Sequence, residues 1–167
     1  VLKRATDDYL MWYSGFTEAG ECAIGLATST DGQTWSKHPQ NPILSPSTEV
    51  WNNVCVIHPF VLYEGGIYKM WFISTGDDGN GQAPVLAYTT STDGINWPWE
   101  NAQVVLEQDW EWWFWRPFVR HEGDTYKLWY SVWYEDRAHI AYATAPNETN
   151  WTRTNQPIFS GSAGEWD

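Results

Sequence analysis

Three copies of one pattern run along the chain, and this repeat limits the available folds more than any other feature. Its first marker, Tyr-x-Met/Leu-Trp, has tryptophans 59 and 58 residues apart at Trp12, Trp71 and Trp129. A second marker, Ser-Thr-Asp-Gly-x-x-Trp, follows at 29–35 and 91–97, with a degraded copy at 145–151. A period of this length exceeds that of a helical solenoid and is typical of a β-propeller blade.

Each repeat is predicted to be a four-stranded antiparallel meander. In the second repeat, β-branched and aromatic runs between Gly-containing turns predict strands at 59–63, 67–74, 85–91 and 103–106. The second of these strands is apolar on both alternating faces, so both faces must be covered. We therefore expect an all-β propeller, a single domain over residues 1–167, whose blades cover about 1–50, 51–109 and 110–167.

Composition supports strands and excludes several partners. The 14 Trp, 9 Tyr and 6 Phe make 17% of the chain, which favours β-structure. With 21 acidic residues against 9 Lys plus Arg, the formal charge of −12 repels nucleic acids and anionic membrane surfaces. No apolar run approaches the roughly 18 residues that cross a bilayer. We expect a soluble chain, cytoplasmic or secreted, that needs no cofactor.

The two cysteines, Cys22 and Cys55, are too few for a disulfide framework. Neither lies in a CxxC or mixed Cys/His pattern, so no metal site is predicted. We interpret both as buried free thiols. A Cys22–Cys55 bridge is the alternative.

Three blades do not close a ring, because closed propellers have about four to eight. Val1-Leu2 aligns with Val61-Leu62, and 164–166 aligns with the segment that ends at Trp51. We therefore expect one blade to be split between the chain ends, and two chains to pair as a homodimer that completes the ring. The alternative is a fragment of a five-bladed chain.

The repeat resembles a known family. Its Pro-Phe-Val segments at 59–61 and 117–119, its Tyr-Lys-Met/Leu-Trp core and its Ser-Thr-Asp-Gly turn are similar to those of the five-bladed glycoside hydrolase families 43, 32 and 130. The resemblance covers all three repeats and implies a carbohydrate-active protein that binds or cleaves a glycan. In those hydrolases a catalytic carboxylate often lies at or near the position before this proline, where this chain has His58 and Arg116. A non-catalytic sugar-binding or purely structural set of blades is therefore the alternative.

A candidate binding site lies at one end of the predicted blades. The loops between the second and third strands meet the connections between blades there, and we call this end the top. Four tryptophans between 110 and 115 have no counterpart in the other repeats. Indole faces stack on sugar rings while polar groups bind the hydroxyls. We predict a sugar site formed by Trp112, Trp113, Trp115, Arg116 and His58; the alternative is that these tryptophans plug the channel or form a dimer seam.

Catalysis depends on acidic residues of the top loops. A glycosidase needs two carboxylates about 5 to 9.5 Å apart. The candidates are Asp77, Asp78, Glu135 and Asp136, with His58 as a candidate base. The alternative is that these acids are solvated surface charges. The acids of the repeated turns, Asp31 and Asp93, are interpreted as structural caps of backbone amides.

Overall fold

The structure is a computed structural model that describes residues 1–47, 54–76, 84–107, 113–135 and 137–161. Over these ranges the chain forms thirteen strands and a 3-10 helix (Trp99–Asn101), with no α-helix. The first repeat contains β1 (Leu2–Ala5), β2 (Asp8–Phe16), β3 (Cys22–Ser29) and β4 (Ser36–Lys37). The second contains β5 (Cys55–Glu64), β6 (Ile67–Thr75), β7 (Pro84–Ser91) and β8 (Gln103–Leu106). The third contains β9 (Trp113–Glu122), β10 (Thr125–Tyr134), β11 (Arg137–Ala145), β12 (Thr152–Arg153) and β13 (Phe159–Ser160).

Each repeat folds into its own antiparallel meander, and we call these meanders unit 1, unit 2 and unit 3. The strands pair in the order β1-β2-β3-β4 in unit 1 and β5-β6-β7-β8 in unit 2. In unit 3 the order is β9-β10-β11, and both β12 and β13 pair with β11. The all-β fold with antiparallel sheets is confirmed, and its arrangement is propeller-like. None of the described residues belongs to a helix that could span a membrane.

Alternating residues of β6 pack against opposite neighbours. On β6, Met70 and Phe72 pack into the core that units 1 and 2 share. Trp71 and Ile73 of the same strand pack into the core that units 2 and 3 share. All four side chains are fully buried. The expectation that both faces of this strand are covered is confirmed.

Two tryptophans of the first marker each join one unit to the next. Trp12 of unit 1 donates its indole N–H to the carbonyl of Gly94 in unit 2 at 2.9 Å. Trp71 of unit 2 makes the equivalent bond to the carbonyl of Glu148 in unit 3 at 3.0 Å. Both acceptors lie in the turn after the third strand of the next unit, so the same joint occurs at both contacts between units.

The second marker builds the turn that receives this bond. Asp93 Oδ1 accepts the backbone N–H groups of Ile95 and Asn96, both at 2.8 Å. Partial burial opposes ionisation of Asp93, but these amides outweigh it and lower its pKa to about 2. Asp31 and Asn147 accept equivalent amides in units 1 and 3. These side chains hold the turn in shape, as the sequence predicts.

An ionic cluster supports the contact between units 2 and 3. Lys69 Nζ of unit 2 lies 2.9 Å from Glu64, 2.6 Å from Glu148 and 2.9 Å from the Tyr126 hydroxyl. Partial burial disfavours the ammonium, but these hydrogen bonds outweigh it and raise the pKa of Lys69 above its ordinary value. The cluster places a cation of one unit against a tyrosine of the next.

The interpretation of the cysteines as free thiols is wrong. Cys22 at the start of β3 and Cys55 at the start of β5 form a disulfide, with their Cα atoms 5.1 Å apart. A single parallel bridge between these residues places the two strand ends together. Sequence spacing hid this pairing, because it depends on how unit 1 packs against unit 2.

Removing this disulfide should weaken the fold. The bridge spans 33 residues, and closing a loop of this length in the unfolded chain corresponds to about 3 to 4 kcal/mol. We expect the Cys22→Ser/Cys55→Ser protein to lose that much unfolding free energy in urea. If this variant, the oxidised wild type and the reduced wild type all unfold at the same urea midpoint, the bridge contributes nothing to stability.

The joint at Trp71 should contribute more to the free energy of unfolding than an exposed tryptophan does. Trp71→Phe removes buried ring volume and an N–H donor from a side chain that is 0% exposed. We expect a loss of about 2 to 4 kcal/mol in unfolding free energy. The matched control is Trp113→Phe, at a side chain that is 45% exposed, which should cost less than about 0.5 kcal/mol. Similar losses in both variants would contradict the joint.

Candidate functional site

The first strands of units 2 and 3 share one irregularity. In β5, His58 and Pro59 together face a single residue of β6. In β9, Arg116 and Pro117 together face a single residue of β10. These are β-bulges, which bend a strand and re-aim a side chain, and they are common beside functional sites. The two bulges lie 58 residues apart and are therefore equivalent positions of the repeat.

The backbone at both bulges adopts a conformation that non-glycine residues rarely use. The φ angle is 54° at His58 and 50° at Arg116. The proline that follows each of them further disfavours this conformation, because it favours an extended residue before it. Such strained residues persist only where the surroundings hold them, and they cluster at functional sites. The two bulges are therefore candidate functional positions.

His58 lies between units 1 and 3. Its backbone N–H donates to Ser14 Oγ of unit 1 at 2.9 Å. Its ring Nδ1 is buried and has no hydrogen-bond partner within the described part of the chain. Burial lowers the pKa of His58, and the positive charge of Arg116 lowers it further. The ring is therefore neutral at pH 7, with one donor and one acceptor nitrogen.

Arg116 presents a cation at the same bulge position of the neighbouring unit. Its side chain is exposed and makes no ion pair or hydrogen bond with any residue that the structure describes. An unpaired guanidinium is notable in a chain with a formal charge of −12. Its planar fork of N–H donors suits vicinal hydroxyls or a carboxylate.

Two of the predicted site tryptophans lie directly before this bulge. The rings of Trp113 and Trp115 are 6.4 Å apart and nearly parallel, with an interplanar angle of 25°. Phe114, between them, packs into the core toward unit 2, so both tryptophans point to the other side of the sheet. Trp113 is exposed, whereas Trp115 is half-buried. The structure therefore places Trp113, Trp115 and Arg116 on one strand, with both tryptophans on the side of the sheet away from unit 2, the unit that holds His58. The charge of Arg116 lowers the pKa of His58.

Sequence reasoning missed a further tryptophan at this site. Trp133 of β10 is the cross-strand partner of Trp113 and is 47% exposed. Directly opposed residues of paired strands share a face, so Trp133 extends the same aromatic surface. It has no tryptophan counterpart in the other repeats, which is the signal that singled out Trp113 and Trp115.

The acidic candidates are only partly described. Glu135 is exposed and lies in the turn between β10 and β11, with a φ of 47°. Asp77, Asp78, Asp136 and the predicted sugar-binding residue Trp112 lie outside the described residues. Within the described ranges, no group of three or more His, Cys, Asp and Glu side chains is arranged to hold a metal ion.

Solved structures with this fold include several proteins described as glycoside hydrolases. A protein described as a glycoside hydrolase matches with a TM-score of 0.77 and 17% identity, covering 95% of this chain and 52% of its own. A GH32 β-fructofuranosidase of Bombyx mori matches at 0.71 and 17%, covering 91% of this chain and 35% of its own. An endo-1,4-β-xylanase of Bacteroides thetaiotaomicron matches at 0.71 and 18%, covering 96% and 54%. At these identities the likeness concerns the fold: this protein has the glycosidase-like propeller arrangement.

A sequence relative of this chain is itself uncharacterized. The uncharacterized protein Rv1502 of Mycobacterium tuberculosis is 25% identical over 173 residues, which cover 98% of this chain and 57% of that protein. The sequence therefore spans little more than half the length of the relatives it matches. No protein-family model matches it.

The charge of Arg116 should have a measurable effect on the pKa of His58. We expect Arg116→Gln to raise the pKa of His58 toward its ordinary value of about 6.5, because one of the two causes of its lowering is removed. The pKa is read from the imidazole proton shifts in an NMR titration. The matched control is Arg120→Gln, on the same strand beyond the bulge, which should leave that pKa unchanged. An unchanged pKa in Arg116→Gln would contradict the proximity of the two groups.

The lowered pKa of His58 also predicts that the stability of the fold depends on pH. The unfolded chain takes up a proton at His58 near pH 6.5, but the folded chain does so only at lower pH. The stability contributed by the neutral ring is therefore full above about pH 6.5 and is lost as the pH falls through the folded pKa. We expect His58→Asn to flatten this part of the wild-type profile in urea unfolding. A profile that keeps the wild-type slope in this variant would show that another group is responsible.

Proposed function

We propose that this chain is a carbohydrate-active protein that binds a glycan at the top of its units. The observation that carries the proposal is the pair of equivalent bulges at His58 and Arg116, together with the exposed Trp113 on the same strand as Arg116. A sugar site needs a flat apolar surface and a few fixed polar groups. The bulges supply the polar groups, and Trp113 with Trp133 supplies the flat surface.

Each side chain has a distinct part in the proposed site. Trp113 stacks its indole face against the C–H face of a sugar ring. Arg116 donates hydrogen bonds from its guanidinium to ring hydroxyls or a carboxylate. The neutral His58 ring donates to or accepts from a hydroxyl without bringing a second positive charge. The predicted residue Trp115 belongs to the same proposed surface and is more deeply packed, whereas Trp112 lies outside the described residues and stays a predicted sugar-binding residue.

Binding without turnover is the second candidate function. The positions that precede the prolines of β5 and β9 carry an imidazole and a guanidinium in place of carboxylates. Glycoside hydrolysis needs two carboxyl groups, one protonated and one ionised. Cleavage therefore requires acids from the top loops, for which Asp77, Asp78, Glu135 and Asp136 remain the candidates. Release of chromophore from aryl arabinofuranosides, xylosides, fructosides and mannosides distinguishes cleavage from binding.

Truncating the exposed indole should weaken glycan binding. A glycan array selects the ligand, and titration calorimetry then measures its affinity. We expect Trp113→Ala to weaken binding by about 1 to 3 kcal/mol, the range of a lost aromatic anchor, without a comparable loss of folding stability. The matched control is Tyr63→Ala, an aromatic of similar exposure at the opposite end of β5, which should leave affinity unchanged. A wild-type protein that binds no glycan on the array or in titrations would contradict the proposal.

A further inference from the structure

Two links connect unit 1 to unit 2 at the end opposite the turn, and both begin on the same hairpin. The Cys22–Cys55 disulfide joins the start of β3 to the start of β5. Ser14 Oγ of β2 accepts the backbone N–H of His58 in β5 at 2.9 Å. Ser14 pairs with Ile24 across β2 and β3, only two residues beyond Cys22. The disulfide and the hydrogen bond therefore connect one short stretch of unit 1 to one short stretch of unit 2.

The stretch of β5 between the two links has little freedom to move. Val56 is 0% exposed and packs into the core that units 1 and 2 share. The carbonyl of Cys55 accepts the buried Ser74 hydroxyl of β6 at 3.3 Å. Residues 55–57 pair with β6 without interruption. Cys55 and His58 therefore lie about 10 Å apart along a regular strand, at roughly 3.3 Å per residue, and a displacement of one is transmitted to the other.

The bulge at His58 depends on contacts outside its own strand pair. Pairing between β5 and β6 passes from Ile57 directly to Phe60, so the ladder does not include His58. Its backbone N–H is bonded to Ser14 of unit 1 instead. A residue with a φ of 54° keeps this conformation only where its surroundings hold it. Unit 1 is therefore part of what positions the His58 side chain.

Neither link recurs at the equivalent contact between units 2 and 3. When the repeats are aligned on the first marker, Ile73 stands where unit 1 has Ser14. Trp113 stands where unit 2 has Cys55. The bulge of unit 3 nevertheless forms, with a φ of 50° at Arg116. Two units can therefore join and a bulge can form without these links, which points to a role at the bulge of unit 2 itself.

We propose that the Cys22–Cys55 disulfide is a positioning element of the candidate site, which fixes the His58 bulge against unit 1 and so holds the imidazole in place for a ligand. Reduction by a dithiol breaks the S–S bond. The dithiol supplies two electrons and two protons, becomes a disulfide itself, and leaves two cysteine thiols. Of the two links only the Ser14 hydrogen bond then remains, and the imidazole gains access to water. Weaker glycan binding by the reduced chain follows, and this part rests on the proposed function.

Imidazole proton shifts measure the position of His58 without any ligand. The protein is titrated in the oxidised form, after reduction with dithiothreitol, and as the Cys22→Ser/Cys55→Ser variant. Because burial is the main cause that lowers the pKa of His58, we expect a higher pKa, closer to about 6.5, in the reduced protein and in the variant. An unchanged pKa in both would overturn the proposal, since a bridge that only stabilises the fold lowers the urea midpoint without moving His58.

Two controls separate a local effect from a general loosening of the fold. His139 is buried, and both of its ring nitrogens are hydrogen-bonded within unit 3, so its signals should not change on reduction. Dithiothreitol should have no effect on the serine variant, which has no disulfide. Equal changes at His58 and His139 would contradict a positioning role. If the reduced protein unfolds in buffer, all three forms are compared in sucrose, which favours the folded state.

A double-mutant cycle tests whether the two links act together. Ser14→Ala removes the acceptor of the His58 N–H. It should lower the urea midpoint of the oxidised protein, and lower that of the reduced protein less, because the freed bulge no longer keeps this bond. The matched control is Ser36→Ala, at an exposed residue of β4, which should change both midpoints equally. Equal losses for Ser14→Ala in the two redox states would contradict the coupling.

Glycan binding distinguishes failure of this proposal from failure of the proposed function. Titration calorimetry with a glycan selected on the array should show severalfold weaker binding to the folded, reduced protein than to the oxidised protein. Equal affinities would contradict the role of the disulfide at the site. If no glycan binds either form while the pKa of His58 still rises on reduction, the glycan site fails and the positioning of His58 by the disulfide is supported.

Discussion

The structure depends on one joint, in which two indole N–H groups converge on a single backbone carbonyl. The Gly94 carbonyl accepts Trp12 from the preceding unit at 2.9 Å and Trp97 from its own turn at 3.1 Å. The Glu148 carbonyl accepts Trp71 at 3.0 Å and Trp151 at 3.1 Å in the same way. A carbonyl oxygen has two lone pairs, so both bonds are satisfied. The two sequence markers recur together because each builds one half of this joint.

The joint also determines where a function can lie. It ties each unit to the next, and the first strands β5 and β9 of units 2 and 3 lie in contact. The bulges of those strands then present His58 and Arg116 to the same neighbourhood, although 58 residues separate them in the chain. The turn end of each unit carries the joint and its capping hydrogen bonds, and the proposed glycan site lies toward the opposite end. The proposed glycan site is therefore a consequence of how the repeat is joined.

The sequence predicts the strands well where local chemistry decides them, and less well where packing does. The predicted strands 67–74, 85–91 and 103–106 agree within one residue with β6, β7 and β8. The first strand begins at Cys55 and not at Pro59, because a bulge accommodates the proline that suggests a strand boundary. Likewise, the Cys22–Cys55 bridge and the lowered pKa of His58 arise between units, and spacing within a repeat does not reveal them. The lack of a counterpart in the other repeats marks Trp133 as it marks Trp113 and Trp115, but the position of Trp133 opposite Trp113 follows only from the pairing register of β9 and β10.

Hydrogen exchange of the indole N–H groups tests the central joint most directly. The indole resonances are assigned by single Trp→Phe substitutions, and each exchange rate in D2O is compared with that of the exposed Trp113. We predict that the indole protons of Trp12 and Trp71 exchange orders of magnitude more slowly than that of Trp113, because each is buried and bonded to a carbonyl of the next unit. Exchange of Trp12 or Trp71 at the rate of Trp113 would contradict the joint.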